Sequence, residues 1–179
     1  MIDIKYNLTE VDYLQLNLYY FDVEGSLGKN SQKIILVFLT IIAILIFLSI
    51  YKNENLYAIS LALVALFILI FHKKQMKNNY EKMFKKSIQQ YKNRFDKIVE
   101  LKFTETEIEV KSVAGNTQFY NSQIKSVIET KEYFFIRLQP EAIIIPKREL
   151  ENIENINEYL NSLAKKLNIQ YKENFEWKW

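Results

Sequence analysis

The sequence contains no cysteine, one histidine, three glycines and two prolines in 179 residues. Without cysteine the chain cannot form disulfides, a zinc ribbon or a thiol nucleophile, and this composition favours a reducing cytosol. A single histidine leaves few groups for general acid–base or nucleophilic catalysis. The sequence therefore predicts a protein that is not an enzyme, with no catalytic residues, no metal and no cofactor.

The net charge is also small, at +3. The basic residues cluster beside apolar segments and do not form the broad basic face that is typical of nucleic-acid-binding proteins. This clustering argues against nucleic acid as a partner and favours the anionic headgroups of membrane lipid. The abundance of Lys, Asn and Ile is typical of an AT-rich bacterial genome.

Two long apolar segments follow each other closely, Ile34 to Tyr51 and Leu56 to Phe71. The first is charge-free and, as a helix, would extend about 27 Å, close to the thickness of the hydrocarbon core. Neither segment has the polar stripe of a helix in a soluble core. The sequence therefore predicts a transmembrane helical hairpin over residues 34–71, with spans 34–51 and 56–71.

The charges around the hairpin predict its orientation. Only Lys52 to Asn55 separate the spans, so both ends of the hairpin would lie on one side of the membrane, and lysines are concentrated at those ends. By the positive-inside rule both termini are predicted to be cytoplasmic, in a multi-pass protein of the cytoplasmic (inner) membrane. Tyr51 and Tyr57 flank the turn and are predicted to be interfacial anchors.

The segments on either side of the hairpin have different patterns. In the N-terminal segment, 1–33, apolar residues alternate from Ile2 to Leu8, which predicts a strand that pairs with a C-terminal sheet. Thr9 and Asp12 then have the spacing of a helix N-cap, and an amphipathic helix is predicted to follow. Residues 72–98 are predicted to form a cytoplasmic helical stalk, which packs on protein or lies on lipid.

Residues 99–179 are predicted to form a small β domain. About six short strands follow one another from Val99 to Ile145, and helical spacing returns from Glu149 to Leu167. An antiparallel meander capped by a C-terminal helix resembles the pleckstrin-homology-like architecture. The predicted fold class is thus an α+β membrane protein, with a two-helix transmembrane hairpin and a small antiparallel pleckstrin-homology-like β domain.

Several short motifs, with the order of the parts, carry a more specific resemblance. They are Tyr6-Asn7-Leu8-Thr9-Glu10, Asp12-Tyr13-Leu14, Asn17-Leu18-Tyr19, Val127-Ile128-Glu129-Thr130, Tyr133-Phe134-Phe135 and Ala142-Ile143-Ile144-Ile145-Pro146-Lys147-Arg148. With the two spans, they resemble the YcxB-like family of bacterial membrane proteins over nearly the whole chain. The resemblance implies topology and fold, and it carries over no catalytic residues. Tyr20 stands where the family often has histidine, which argues against a metal role there.

Four basic residues are candidates for contact with an anion or a lipid headgroup: Lys73, Lys74, Lys147 and Arg148. The first two follow the second span, and the other two follow Pro146 at the junction of the last strand and the final helix. Trp177 and Trp179 are predicted to be interfacial anchors, and a frayed tail is the alternative.

The leading functional hypothesis is a membrane-tethered cytoplasmic binding module that recognises a protein partner or anionic lipid headgroups. The alternative is an inner-membrane immunity protein that neutralises a toxin. A homo-oligomer is compatible with either hypothesis. A channel is less favoured, because the spans hold no acidic or basic residue that would mark an ion pathway.

Overall fold

The computed structural model describes residues 2–24, 26–139 and 141–179. The chain divides into two compact units. Unit 1 comprises Met1–Leu16 and Lys86–Trp179, and unit 2 comprises Asn17–Lys85. Unit 1 is therefore assembled from both ends of the sequence.

Unit 2 is helical. Helix α1 (Glu10–Tyr19) enters it, a short π-helical turn follows over Tyr20–Glu24, and α2 (Ser26–Tyr51) and α3 (Asn55–Ile88) come next. Within the π-helical turn, the ring of Phe21 lies 3.9 Å, centroid to centroid, from that of Tyr80 on α3. This contact joins the beginning of the unit to its end.

Two segments of unit 2, Lys33–Tyr51 and Asn55–His72, are helices long and apolar enough to cross a membrane. Their side chains are largely exposed, as Leu56 is at 82%. Two polar side chains bond within their own helices: Thr40 donates to the carbonyl of Leu36 and Ser60 to that of Leu56. The prediction of two such helices is confirmed.

The end of α3 differs from the prediction. The helix ends at Ile88, a 3-10 helix covers Gln89–Arg94, and strand β2 begins at Lys97. The prediction of a helical stalk that extends to residue 98 is therefore wrong for its last residues. Asp96 turns the chain with a left-handed φ of 55°, and its N–H donates to the Leu8 carbonyl over 2.8 Å. This bond directs the chain alongside the N-terminal strand.

The first sheet of unit 1 has the order β1-β2-β3-β4, with β1 at Ile2–Leu8, β2 at Lys97–Phe103, β3 at Glu107–Ser112 and β4 at Gly115–Tyr120. All its strand pairs are antiparallel, and Ile4 of β1 faces Leu101 of β2. The prediction that the N-terminal strand pairs with the C-terminal sheet is confirmed. Both apolar helices therefore lie, in sequence, between two strands that are neighbours in one sheet.

The second sheet has the order β7-β6-β5-β8, with β5 at Ser126–Thr130, β6 at Tyr133–Arg137, β7 at Ala142–Pro146 and β8 at Gln170–Asn174. Strand β8 pairs with β5 in parallel, so the prediction of an antiparallel domain holds for every strand pair except this one. The parallel pair arises because α4 (Ile153–Leu167) carries the chain back before β8 begins.

Helix α4 begins and ends with clear capping signals. Oδ1 of Asn152 accepts a hydrogen bond from the Asn155 N–H over 3.0 Å, and Asn168 ends the helix with a left-handed φ of 53°. Its apolar side contributes to the core of unit 1. The largest fully buried core side chains of that unit include Phe103, Phe134, Phe135, Leu101, Ile128, Ile136, Ile145 and Leu160.

Candidate functional site

A buried carboxylate joins the two parts of unit 1. The Asp12 side chain, on the first turn of α1, is fully buried, and Arg148 donates to both of its oxygens over 2.7 Å. Tyr133 donates its hydroxyl to Oδ1 over 2.9 Å. Thr9 donates its backbone N–H over 2.7 Å and its hydroxyl over 2.9 Å to Oδ2. We call Thr9, Asp12, Tyr133 and Arg148 the Asp12 cluster.

The hydrogen bonds of the Asp12 cluster stabilise the charged carboxylate. Burial by itself raises the pKa of Asp12, but the bonds from Arg148, Thr9 and Tyr133 outweigh burial and lower this pKa below its ordinary value. The same pairing raises the pKa of Arg148, and burial beside the Asp12 charge raises that of Tyr133. The cluster therefore holds a fixed ion pair at neutral pH, which suits structural linkage and not proton transfer.

A second buried ion pair is centred on Glu129, on strand β5 of the second sheet. Nζ of Lys147 lies 2.6 Å from Oε1 of Glu129, and the two side chains are 11% and 3% exposed. Tyr171 on β8 donates its hydroxyl to Oε2 over 2.7 Å, and the amide of Asn157 on α4 lies 3.4 Å from Oε1. We call these four residues the Glu129 cluster.

Aromatic faces enclose the ammonium group of this pair. Nζ of Lys147 lies 4.5 Å from the ring centroid of Phe134 and 5.4 Å from that of Phe175. Both distances allow attraction between the cation and the ring face. Burial, followed by the bond to Glu129, raises the pKa of the Tyr171 hydroxyl, which stays protonated and continues to donate. Strand β8 and helix α4 are thus tied to β5 by one carboxylate.

Two of the predicted headgroup contacts belong to these clusters. Lys147 pairs with Glu129, and Arg148 pairs with Asp12. An external anion would therefore compete with a buried carboxylate for either group. Contact with an anion stays a prediction for these two residues, and their geometry opposes it.

The other predicted site residues lie on α3, on either side of the helix reversal and after β8. Lys74 is exposed on α3, whereas the side chain of Lys73 lies outside the described residues. Tyr51 and Tyr57 are exposed, at 81% and 68%, on either side of the helix reversal. Trp177 and Trp179 are half-buried after β8. The roles of all these residues as lipid contacts stay predictions.

Two clefts in the described part of the chain border α4 and offer concave surfaces for a ligand or partner segment. One, of about 460 Å³, we call the α4 cleft; its lining comprises Phe103, Thr104, Glu105, Tyr159, Ser162, Leu163 and Lys166. The rings of Phe103 and Tyr159 meet edge to face at 5.2 Å on its floor. The other cleft, of about 470 Å³, is lined by residues 2–5 of β1 and by Glu149–Asn152, Asn155 and Ile156.

The described residues contain no group of three or more His, Asp or Glu side chains arranged to hold a metal ion. The spacing of Glu105, Glu107 and Glu109 in the sequence predicts one solvated face of a strand, with a site for a hard cation as the less favoured alternative. Glu105 in fact precedes β3 and lines the α4 cleft. The Nδ1 atom of His72 lies 3.0 Å from the carbonyl oxygen of Ile68, within its own helix.

Unit 1 is thus an α+β domain with two sheets, an N-terminal strand and a C-terminal helix. Residues 103–161, about a third of the chain, match the family model described as YcxB-like protein. This match confirms the resemblance for the segment from the end of β2 into α4. Comparison with curated proteins and with solved structures returned no match.

The sequence identified some members of the two clusters and missed others. Asp12 was recognised as a capping acid and Lys147 and Arg148 as notable cations, but Glu129, Asn157 and Tyr171 carried no separate signal. The available clue was that Glu129 directly follows Val127 and Ile128, because a carboxylate in a buried strand needs a cationic partner.

Proposed function

We propose that this protein is a non-enzymatic, membrane-tethered binding module whose cytoplasmic domain, unit 1, recognises a protein partner. The observation that carries the proposal is the place of the apolar helices in the sequence. They are inserted between β1 and β2, which are paired neighbours in one sheet. A chain that leaves a folded domain and returns to it must cross a bilayer an even number of times.

The insertion supports a hairpin with both ends on one side. Because β1 and β2 belong to one folded sheet, they lie on the same side of any membrane that α2 and α3 cross. Lysines flank those ends, and the reversal at Lys52 to Glu54 has a single lysine balanced by an acid, so the positive-inside rule favours a cytoplasmic domain. The domain would thereby be held beside the cytoplasmic surface of the membrane.

The architecture of unit 1 supports a binding role. A sheet of four antiparallel strands, three further antiparallel strands and a C-terminal helix in contact with β5 and β8 support a pleckstrin-homology-like domain, in which β8 is an addition. Many unrelated functions share such folds, so the site has to carry the argument. Here the α4 cleft offers an aromatic floor with Glu105 and Lys166 at its margin.

A protein partner is favoured over lipid headgroups for one reason. Lys147 and Arg148, the two domain cations predicted to receive an anion, are neutralised by Glu129 and Asp12. The α4 cleft that remains carries both charge signs and apolar surface, which suits a peptide segment better than a phosphate group. Lipid would then contact the lysines of α3 and position the domain.

Labelling of single cysteines would test the tether, because the natural chain has no cysteine that would react. We expect Asn53→Cys in the helix reversal to react with a membrane-impermeant maleimide in intact cells. Lys125→Cys, exposed in unit 1, should react only after lysis. Equal labelling of both positions in intact cells would contradict the proposed topology.

Photocrosslinking in native membranes would test the partner. A benzophenone amino acid replaces Ser162 in the α4 cleft, and the control replaces Lys125, which is exposed in unit 1 and lines neither of the two clefts. We expect a discrete protein adduct at position 162 and none at 125. Lipid-mass adducts at position 162 would favour headgroup binding, and the same adducts at both positions, or none, would contradict a partner in this cleft.

A further inference from the structure

Strand β4 has an open edge that lacks the usual protection. It is an outer strand of its sheet, and Gly115–Tyr120 contains no charged residue and no proline. Natural edge strands commonly carry lysine, proline or a bulge, which prevent pairing with another chain. The outer strand of the other sheet, β8, follows that rule, since it carries Lys172 and Glu173.

The backbone groups on this edge can be identified from the strand register. A two-residue turn makes Ser112 and Gly115 a hydrogen-bonded pair, and hydrogen-bonded pairs then alternate along β3 and β4. The N–H and C=O groups of Asn116, Gln118 and Tyr120 therefore point away from β3. In agreement, the Tyr120 N–H donates to Oε1 of Gln123 over 2.9 Å instead of to β3.

The outward face of the sheet carries alternating charges that stop at β4. Two rows of paired residues cross the sheet from β1 to β4. The first row is Asp3, Lys102, Glu109 and Gln118, and the second is Lys5, Glu100, Lys111 and Asn116. Each charge faces an opposite charge, as in the ion pair of 2.7 Å between Lys5 and Glu100. Both rows end in an amide on β4.

From these observations we infer that β4 is a self-association edge, on which β4 of a second copy of this chain pairs antiparallel about a two-fold axis at Gln118. A strand that faces its own copy places identical residues opposite each other at the axis, where like charges are destabilising and amides can hydrogen-bond. The amides at Gln118 and Asn116 meet that requirement. This inference goes beyond the proposed function and does not depend on a membrane or on another partner.

The register of such a pair follows from the outward groups. Each Gln118 N–H donates to the carbonyl of the partner's Gln118, and each Asn116 N–H donates to the carbonyl of the partner's Tyr120. The Tyr120 N–H stays with Gln123. The Tyr120 side chain, 65% exposed, would cover part of the joint sheet. The remaining outer strands offer no second open edge, because β8 carries charges and β1 and β7 contact each other. Pairing through β4 therefore stops at a dimer.

Disulfide trapping of the full chain in native membranes tests the inference. Two Gln118→Cys chains would place their Cα atoms about 5.5 Å apart, within disulfide reach. The matched control is Lys111→Cys, exposed on the next strand, where three strand spacings and an offset of four residues along the strand would separate the two cysteines by about 20 Å. We expect a mild oxidant to convert most of the first variant, and little of the second, to a covalent dimer.

A second measurement keeps the test independent of oxidation. In detergent, Gln118→Pro should weaken dimerisation about thirtyfold, since it removes two symmetric hydrogen bonds from the edge and none from β3. Gln118→Lys should weaken it about fivefold, through like charges at the axis. Equal crosslinking of positions 118 and 111, a monomeric wild type, or unchanged dimerisation in both variants would overturn the inference.

Discussion

The Asp12 carboxylate and the Arg148 guanidinium face each other through two hydrogen bonds of 2.7 Å. Asp12 lies in the first turn of the helix that leads toward the apolar segments, and Arg148 lies just before α4. The pair therefore fastens the N-terminal segment to the domain formed by the C-terminal part of the chain.

Removal of this pair should destabilise unit 1. We expect Asp12→Asn to lower the free energy of unfolding by about 2 kcal/mol, because the guanidinium loses a charged partner but remains 45% exposed. The measurement is denaturant unfolding of the full chain in detergent, followed by the fluorescence of Trp177 and Trp179, both in unit 1.

The double variant Asp12→Asn with Arg148→Gln isolates the coupling between the two residues. We expect it to be less destabilised than the sum of the single variants. Lys125→Gln, at an exposed position, serves as the control and should change stability by less than about 0.5 kcal/mol. Strict additivity of the two single variants would show that the pair contributes no coupling energy.

The stability of unit 1 should depend on pH through Asp12. Because its pKa is lowered in the folded state, its contribution is fully present above the ordinary carboxyl pKa of about 4 and is lost as the pH falls through the lower, folded-state pKa. We expect the stability difference between wild type and Asp12→Asn to be largest at neutral pH and to narrow below about pH 4. A difference that stays constant down to about pH 2 would refute this linkage.

The buried pair of the second sheet should be more sensitive to loss of one partner. Glu129→Gln leaves the Lys147 ammonium buried without its counter-charge, and we expect a loss of about 3 kcal/mol. Adding Lys147→Met removes that charge and should restore about 2 kcal/mol of the loss. If the double variant is no more stable than Glu129→Gln alone, the charge is not the cause.

Strand β8 should depend on one hydroxyl group. Tyr171→Phe removes the donor that lies 2.7 Å from Glu129, and we expect a loss of about 1.5 kcal/mol with faster hydrogen exchange of the β8 amides. Tyr57→Phe is a matched control, because that hydroxyl belongs to a side chain that is 68% exposed and lies in unit 2. Equal effects from both variants would argue against a special role for Tyr171.

The parts of the fold that depend on local apolar patterns were predictable. The alternation from Ile2 to Leu8 predicted β1 and its pairing, since one apolar face requires a sheet to bury it. Strand β8 was missed because Gln170–Asn174 is polar apart from Tyr171 and has no apolar alternation. Backbone pairing with β5 and the contact with Glu129 stabilise it, and neither leaves a local signal.

The two clusters were beyond sequence patterns for a related reason. Lysine and arginine are mostly exposed in proteins, so Lys147 and Arg148 were predicted to face solvent or lipid. Their partners, Glu129 and Asp12, are separated from them by 18 and 136 residues. Such pairs depend on sheet register and strand order, which the spacing of residues in one sequence does not specify.

The pairing of β1 with β2 also constrains how the chain is made. A ribosome completes β1 long before β2, and at about 5 to 20 residues per second the first strand waits roughly 5 to 20 seconds for its neighbour. During that interval both apolar helices emerge from the ribosome, and strand Ile2–Leu8 has no neighbouring strand with which to pair. Assembly of the first sheet is therefore necessarily late, because β1 cannot be incorporated until β2 has been synthesised.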